Sequence, residues 1–269
     1  MSSDNDRNDH YETAMAISTR ESISIFGGDL SRDFIGEVSF GAYAFRLIML
    51  REPSPGEQRL FEAVLVALAD HGFTPTAIAA RMTYLSAPDA IQGAIAAGIL
   101  GGGSRFLGVS EDTGRILSET LAGLVELPSN ANGWDQVAVQ MVSNLKERKS
   151  AIPGLGHHLH KDGDPRVPKL FEVAREAGTF GPHLSLFEAM GRVAPQVLGK
   201  NLPLNGAGCC GAALAELGIP QPLLRGVVLL ARCAGLLGHI ADEIRTPVAQ
   251  SIFAHVENHA VSTSNSTDL

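Results

Sequence analysis

The sequence predicts a mainly α-helical fold with a short N-terminal β hairpin. Three observations carry this reading: apolar residues recur at helical spacing along most of the chain, Ser, Thr and Pro mark helix starts, and one short stretch alternates as a strand does. That stretch comes first, at residues 22–26, Ser-Ile-Ser-Ile-Phe, closed by Gly27 and Gly28. Residues 57–69 set Leu60, Phe61, Val64, Leu65 and Leu68 on one helical face, with Gly72 placed to end the helix. Thr74 before Pro75 has the form of an N-cap followed by proline at the first helical position. Ser86-Ala87-Pro88-Asp89 reads as the start of a helix that runs into Gly101-Gly102-Gly103. Ser110-Glu111-Asp112 opens another, carrying Ile116, Leu117, Leu121 and Leu124. Residues 134–147, 165–177, 185–199, 208–217 and 221–245 also read as helices. Residues 1–16 and 258–269 are polar and aperiodic, and read as mobile tails around one body, residues 17–257.

Composition narrows the function. Hydrophobic residues make up 45% of the 269, enough for a sizeable core, while a formal charge of −8 argues against tracking a nucleic-acid backbone. The longest apolar run, residues 226–240, is broken by Arg232 and His239, so a membrane partner is not expected. The first residues lack a cationic start followed by an apolar stretch, and Cys209, Cys210 and Cys233 are too few and too clustered for a disulfide framework. The expected location is the cytoplasm.

Four runs could carry chemistry. His71 follows an apolar helix, where a protonated imidazole would gain from the helix dipole and could meet an anion; an ordinary helix-ending histidine is the alternative. Residues 152–166 join a glycine-spaced loop to His157, His158, His160, Lys161 and Arg166. Such a run could polarise a carbonyl or bind carboxylates, bind a metal, or form a charged surface loop; no second cluster supplies a familiar fourth metal ligand. Residues 201–211 place Asn205 and several glycines around Cys209 and Cys210, which suit a close-packed core better than thiol chemistry. Arg232 lies within an apolar helix and must face either a ligand or a carboxylate such as Asp242 or Glu243.

Five short motifs follow one another: Ala-Asp-His-Gly at 69–72, Gly-Gly-Ser-Arg-Phe at 102–106, Pro-Gly-Leu-Gly-His at 153–157, Asn-Gly-Ala-Gly at 205–208, and Ala231-Arg232 before Gly238-His239. In this order they resemble the citrate synthase superfamily, above all its citryl-CoA lyases and the lyase module at the C-terminal end of ATP-citrate lyase. The resemblance implies a citrate synthase-like helical fold, a homodimer with sites near the interface, and a substrate carried as a CoA thioester, without metal or other cofactor. It implies that His71 and His157 hold and polarise an oxaloacetate-like 2-oxo acid, with His157 the electrophilic catalyst. It further implies that Arg232, Lys161, Arg245 and Asn205 bind substrate, Lys161 standing for a family arginine and Arg245 for one that reaches across the dimer. Pro153, Gly154, Leu155 and Gly156 would lie along the CoA path.

Two departures matter. The family's general-base aspartate, in an Asn-Val-Asp-Gly run, falls at Ala207, and a family histidine that forms the acetyl-CoA enol falls at Leu107. ATP-citrate lyase-like sequences also lack that histidine, which favours the lyase branch. His158, His160 and Asp70 are the nearest replacements for the missing base. The expected activity is citryl-CoA cleavage to acetyl-CoA and oxaloacetate, or the reverse acyl-CoA condensation with a 2-oxo acid. The rival is a non-catalytic protein that keeps a CoA or dicarboxylate site.

Overall fold

The computed structural model describes residues 12–157 and 159–262. Three short strands open the chain: β1 (Ile17–Ser18), β2 (Ile23–Ile25) and β3 (Gly28–Asp29), antiparallel in that order. The expected hairpin is therefore a three-stranded sheet. Phe26 and Gly27 both have positive φ, as a two-residue turn requires, and this turn pairs Ile25 with Gly28. A single turn of π-helix, Leu30–Phe34, follows.

Twelve α-helices follow among the described residues, with a short 3-10 turn, Gln221–Leu223, before the eleventh. They are α1 (Phe40–Met49), α2 (Pro55–Ala69), α3 (Pro75–Ser86), α4 (Ile91–Leu100), α5 (Ser104–Leu107), α6 (Val109–Ala122), α7 (Ala131–Glu147), α8 (Arg166–Glu176), α9 (Pro182–Leu198), α10 (Gly206–Glu216), α11 (Leu224–Arg245) and α12 (Ala249–His259). Local signals explain their starts. Ser54 and Glu57 form a reciprocal capping box on α2, and Thr74 caps α3 ahead of Pro75.

Some expectations are corrected. Ser86 ends α3 and does not open α4, because its hydroxyl bonds back to the Met82 and Thr83 carbonyls; α4 begins only at Ile91. The helix expected from Ser110 starts one residue earlier, at Val109, which frees the Ser110 hydroxyl for a tertiary bond. The body does not end at Glu257, since α12 continues through Asn258 and His259. Of the expected tails, residues 1–16 and 258–269, residues 1–11 and 263–269 lie outside the described residues. Residues 221–245, α11 with the short turn before it, are long and apolar enough to cross a membrane by length and composition alone. Here α11 packs against α2, α3, α4 and α6.

At the centre lies α10, with nine of its eleven residues buried. Its small side chains let α2, α6, α8 and α9 close around it. A Cβ on Gly211 would stand 2.1 Å from the Ser110 carbonyl oxygen, and one on Gly208 would stand 2.3 Å from the Cα of Gly154. Cys209 and Cys210 fill the same interior; burial pushes the Cys210 thiol up to about 12, so both behave as small core groups.

Gly211→Ala should lower stability by about 1–3 kcal/mol, since α6 and α10 must part to admit the methyl group. Gly226→Ala, on an open face of α11, should leave stability unchanged or raise it by up to about 1 kcal/mol. Urea unfolding of the two variants checks both values.

Candidate active site

The helix ends and loops around α10 bring five cationic or imidazole side chains to one cavity. At the end of α2, Asp70 leaves the helix in an extended conformation and His71 follows into the cavity wall. Burial, then the charge of Arg166, hold the His71 imidazole below its ordinary pKa, which favours the neutral ring. The cation at the α2 C-terminus is instead Arg166, whose Nη1 donates to the Ala67 carbonyl at 3.2 Å. This replaces the expectation of a protonated His71 on the helix dipole.

Residues 153–157 form a tight loop that reaches the cavity at Gly156 and His157. The backbone N–H groups of Leu159 and His160 both donate to His157 Nδ1 at 3.1 Å. Nδ1 is thus an acceptor, and in the neutral ring the proton resides on Nε2. Asn205 ties this loop to α10: its Nδ2 donates to the Gly156 carbonyl at 2.8 Å, and its Oδ1 accepts from the Gly208 N–H at 2.8 Å. It is the N-cap of α10 as well as a cavity residue.

Asp164 anchors the opposite wall. Its buried carboxylate accepts from Arg166 Nε at 3.0 Å and Nη2 at 2.7 Å, and from the Gly206 N–H at 2.7 Å. Burial opposes its ionisation, yet the Arg166 fork and these N–H groups hold its carboxyl well below the usual carboxylate range. Three of the five Arg166 N–H groups are engaged by Asp164 and Ala67, which leaves two.

Arg232 projects from α11 and is only 5% exposed. Its Nε and Nη1 are buried without a hydrogen-bond partner. Burial pulls its pKa below the ordinary guanidinium value, with Asp70 opposing and Arg166 reinforcing that shift. Asp242 and Glu243 do not satisfy it: both pair with Arg81, at 2.5 and 2.7 Å. The carboxylate pairing that the sequence offered for Arg232 is therefore not made, and Arg232 lines the cavity.

These groups line a cavity of about 270 Å³ with Arg105 and Phe106 from α5, Leu107, Ser110, Ala207 and Val228. None of the described residues lining it is acidic. Such a cavity suits a small molecule with two or more carboxylates. His71, His157 and His160 also converge, with ring nitrogens within 4.8 Å of one another. Two features disfavour a cation there: the backbone donors hold His157 in one tautomer, so metallation at Nε2 would turn an Nδ1 proton onto two N–H groups, and Arg166 adds positive charge beside His71.

The family model described as "Citrate synthase, C-terminal domain" matches residues 7–252. The chain belongs to the citrate synthase family. The fold superposes on citryl-CoA lyase from Hydrogenobacter thermophilus with a TM-score of 0.82 and 30% identity, covering 94% of each chain. ATP citrate lyase from Methanothrix soehngenii, solved with citrate and coenzyme A, gives 0.72 and 25% over 87% of this chain and 39% of that one. Citrate synthase 2 of Bacillus subtilis is 28% identical over 71% of this chain and 49% of its own. The chain spans about half the length of the curated citrate and 2-methylcitrate synthases it matches.

Within this citrate synthase-family fold, the structure brings together His71, His157, Arg232, Asn205 and Gly156. Lys161 is exposed and absent from the wall; Arg166, five residues on, lines it instead, its guanidinium held by Asp164. The spacing of Asp164 and Arg166 across Pro165 was the available signal. Arg245 is exposed at the end of α11, outside the cavity of its own chain. Pro153, Gly154 and Leu155 do not line the cavity either; Gly154 is buried against Phe187 and Gly208, and Leu155 pairs with Leu204. Arg105 is a further cation at the rim, inside a motif already noted but without an assigned role. Of the candidate bases, Asp70 is bonded to His239 and Gly72, His160 stacks beside His157 with ring centroids 4.6 Å apart, and His158 lies outside the described residues.

Two outcomes follow from these charges. Arg232→Met should leave the unliganded protein as stable or up to about 3 kcal/mol more stable, and should remove any rise in Tm that a small dicarboxylate produces in the native protein; thermal unfolding with and without a dicarboxylate reads both. The folded-state pKa of Asp164 is depressed, so its stabilisation is present above the unfolded-state value near pH 4 and is lost as pH falls toward the folded value. Urea unfolding from pH 7 to 3 should show that loss, and Asp164→Asn should flatten it while costing about 3 kcal/mol at pH 7.

Proposed function

We propose that this protein cleaves the carbon–carbon bond of citryl-CoA to acetyl-CoA and oxaloacetate, or runs the reverse condensation of an acyl-CoA with a 2-oxo acid. The observation that carries this is Arg232, a buried guanidinium with unpartnered Nε and Nη1 in a cavity shared with Arg166, His71 and His157. A buried charge left unpaired costs several kcal/mol unless an anion joins it. The likeness to citryl-CoA lyase over 94% of each chain supports the lyase direction.

Cleavage removes the proton of the tertiary hydroxyl, passes the carbon–carbon electron pair into the thioester as an enolate, and delivers a proton to its α-carbon. Arg232 and the two remaining N–H groups of Arg166 hold the carboxylates of the oxaloacetate half. His157 donates from Nε2 to the hydroxyl oxygen as it becomes the ketone oxygen, and the same bond polarises the ketone in condensation. His71, held neutral, is the cavity group suited to take the hydroxyl proton at neutral pH. Leu107 occupies the wall where the family's enol-forming histidine falls. The working form in this reading is a homodimer, with Arg245 reaching the cavity of a second copy.

One observation favours a second reading. Ala207, at the position matched to the family's general-base aspartate, lines the cavity, and its carbonyl accepts from the Ser110 hydroxyl at 2.7 Å. A non-catalytic homologue that binds CoA or a dicarboxylate would have this cavity. Oxaloacetate release from citryl-CoA by the native protein, Ala207→Asp and His157→Ala decides between the two. Native turnover, reduced about 10²- to 10⁴-fold in His157→Ala, is the expected result. Turnover confined to Ala207→Asp supports the binding homologue, and silence in both overturns the citryl-CoA reading.

A further inference from the structure

His239 does not line the cavity, yet it stands in a directional chain that ends beside His71. Arg81, only 1% exposed, donates from Nε to His239 Nδ1 at 3.0 Å. With Nδ1 an acceptor, the neutral ring carries its proton on Nε2, which lies 2.8 Å from Asp70 Oδ1. The second Asp70 oxygen accepts from the Gly72 N–H at 3.1 Å, so one carboxylate brackets the residue between them, His71.

Arg81 is itself pinned. Its Nη1 and Nη2 donate to Glu243 and Asp242 of α11, and its guanidinium lies 4.9 Å from the Phe73 ring centroid. Glu243 in turn accepts from the Val248 and Ala249 N–H groups at the start of α12. The groups facing His239 are therefore Arg81 from α3, Asp70 and Phe73 from the turn, and Asp242 from its own helix. At the same junction α11 meets α2 with no gap: a Cβ on Gly235 would stand 1.8 Å from the Ala69 carbonyl oxygen. Gly235 lies between Arg232 and His239 in sequence, so one helix both presents the guanidinium and steers the turn opposite it.

We propose that His239 is a positioning residue, which, through Asp70, fixes the His71 turn against Arg232. This rests on the citryl-CoA reading for its kinetic consequence, but not for its structural one. The interaction spans α3, α11 and the turn, so it sets the direction of the His71 side chain rather than contributing a contact to substrate. Asp70 is thereby committed to support of the turn and is not the missing base.

The variants that test this are His239→Gln, which keeps an acceptor and a donor about as far apart as the imidazole nitrogens, and His239→Leu, which removes both. In citryl-CoA cleavage, His239→Leu should lower kcat about 10- to 100-fold per folded molecule with KM within about threefold, and His239→Gln should recover most of that loss. A leucine variant with native kcat, or a glutamine variant as impaired as leucine while equally folded, overturns the assignment. If the native protein does not turn over citryl-CoA, the nitrogen-15 spectrum of the His71 ring decides independently. His239→Leu should shift the His71 ring signals and their titration, and His239→Gln should leave them near native positions; identical His71 spectra in all three proteins overturn it.

Discussion

The buried carboxylate of Asp164 is the interaction on which the cavity depends. It receives the guanidinium fork of Arg166 and the first N–H of α10, and Arg166 then reaches the last turn of α2. One anion thus joins the starts of α8 and α10 to the end of α2, which are three sides of the cavity. Breaking such a pair leaves an uncompensated charge in the interior, a cost of about 3–5 kcal/mol. The small residues of α10 make the arrangement possible, because a side chain at Gly206 would stand 2.3 Å from Arg166 Nε. Close backbone approach and buried charge are here parts of one construction.

Arg232 shows the opposite economy. Where Arg166 has its counter-ion built in, Arg232 has two buried nitrogens with none, and its pKa falls accordingly. Helix α11 holds it there because Gly235 lets α11 sit directly on the end of α2, while Arg81 takes the neighbouring carboxylates Asp242 and Glu243. The protein thereby keeps a destabilised cation at a site where an anion restores the balance, the usual relation between stability and binding function. The two imidazoles differ by environment: backbone N–H groups occupy Nδ1 of His157, and burial with Arg166 favours the neutral ring of His71.

Much of this was legible in the chain. Helical periodicity over residues 57–69 and Thr74 before Pro75 locate α2 and α3 closely, since those signals act within one or two turns of backbone. The five motifs in their order were enough to suggest the family, and five of the ten expected site residues, His71, His157, Asn205, Arg232 and Gly156, do line the cavity. Boundaries set by tertiary bonds were misread. Ser110 has the form of an N-cap, but its hydroxyl is used across the core on Ala207, and Ser86 bonds backward and not forward. The sequence offered Lys161 as the cation near His157, but distance along the chain from His157 says nothing about which cation Asp164 turns inward.

By itself, then, the sequence determined the helical class, the membership in the citrate synthase family, and His71, His157 and Arg232 as candidates that line the cavity. Those properties reside in local spacing and in residue identity. Tertiary structure alone decided which cations are paired and which are left open: Arg81 with Asp242 and Glu243, Arg166 with Asp164, and Arg232 with two nitrogens unpartnered. It also set the tautomers of His157 and His239 through the groups that donate to Nδ1. The physical reason is that pairing and proton position depend on distances of about 3 Å between segments far apart in sequence, and only the packing of α2, α10 and α11 sets those distances.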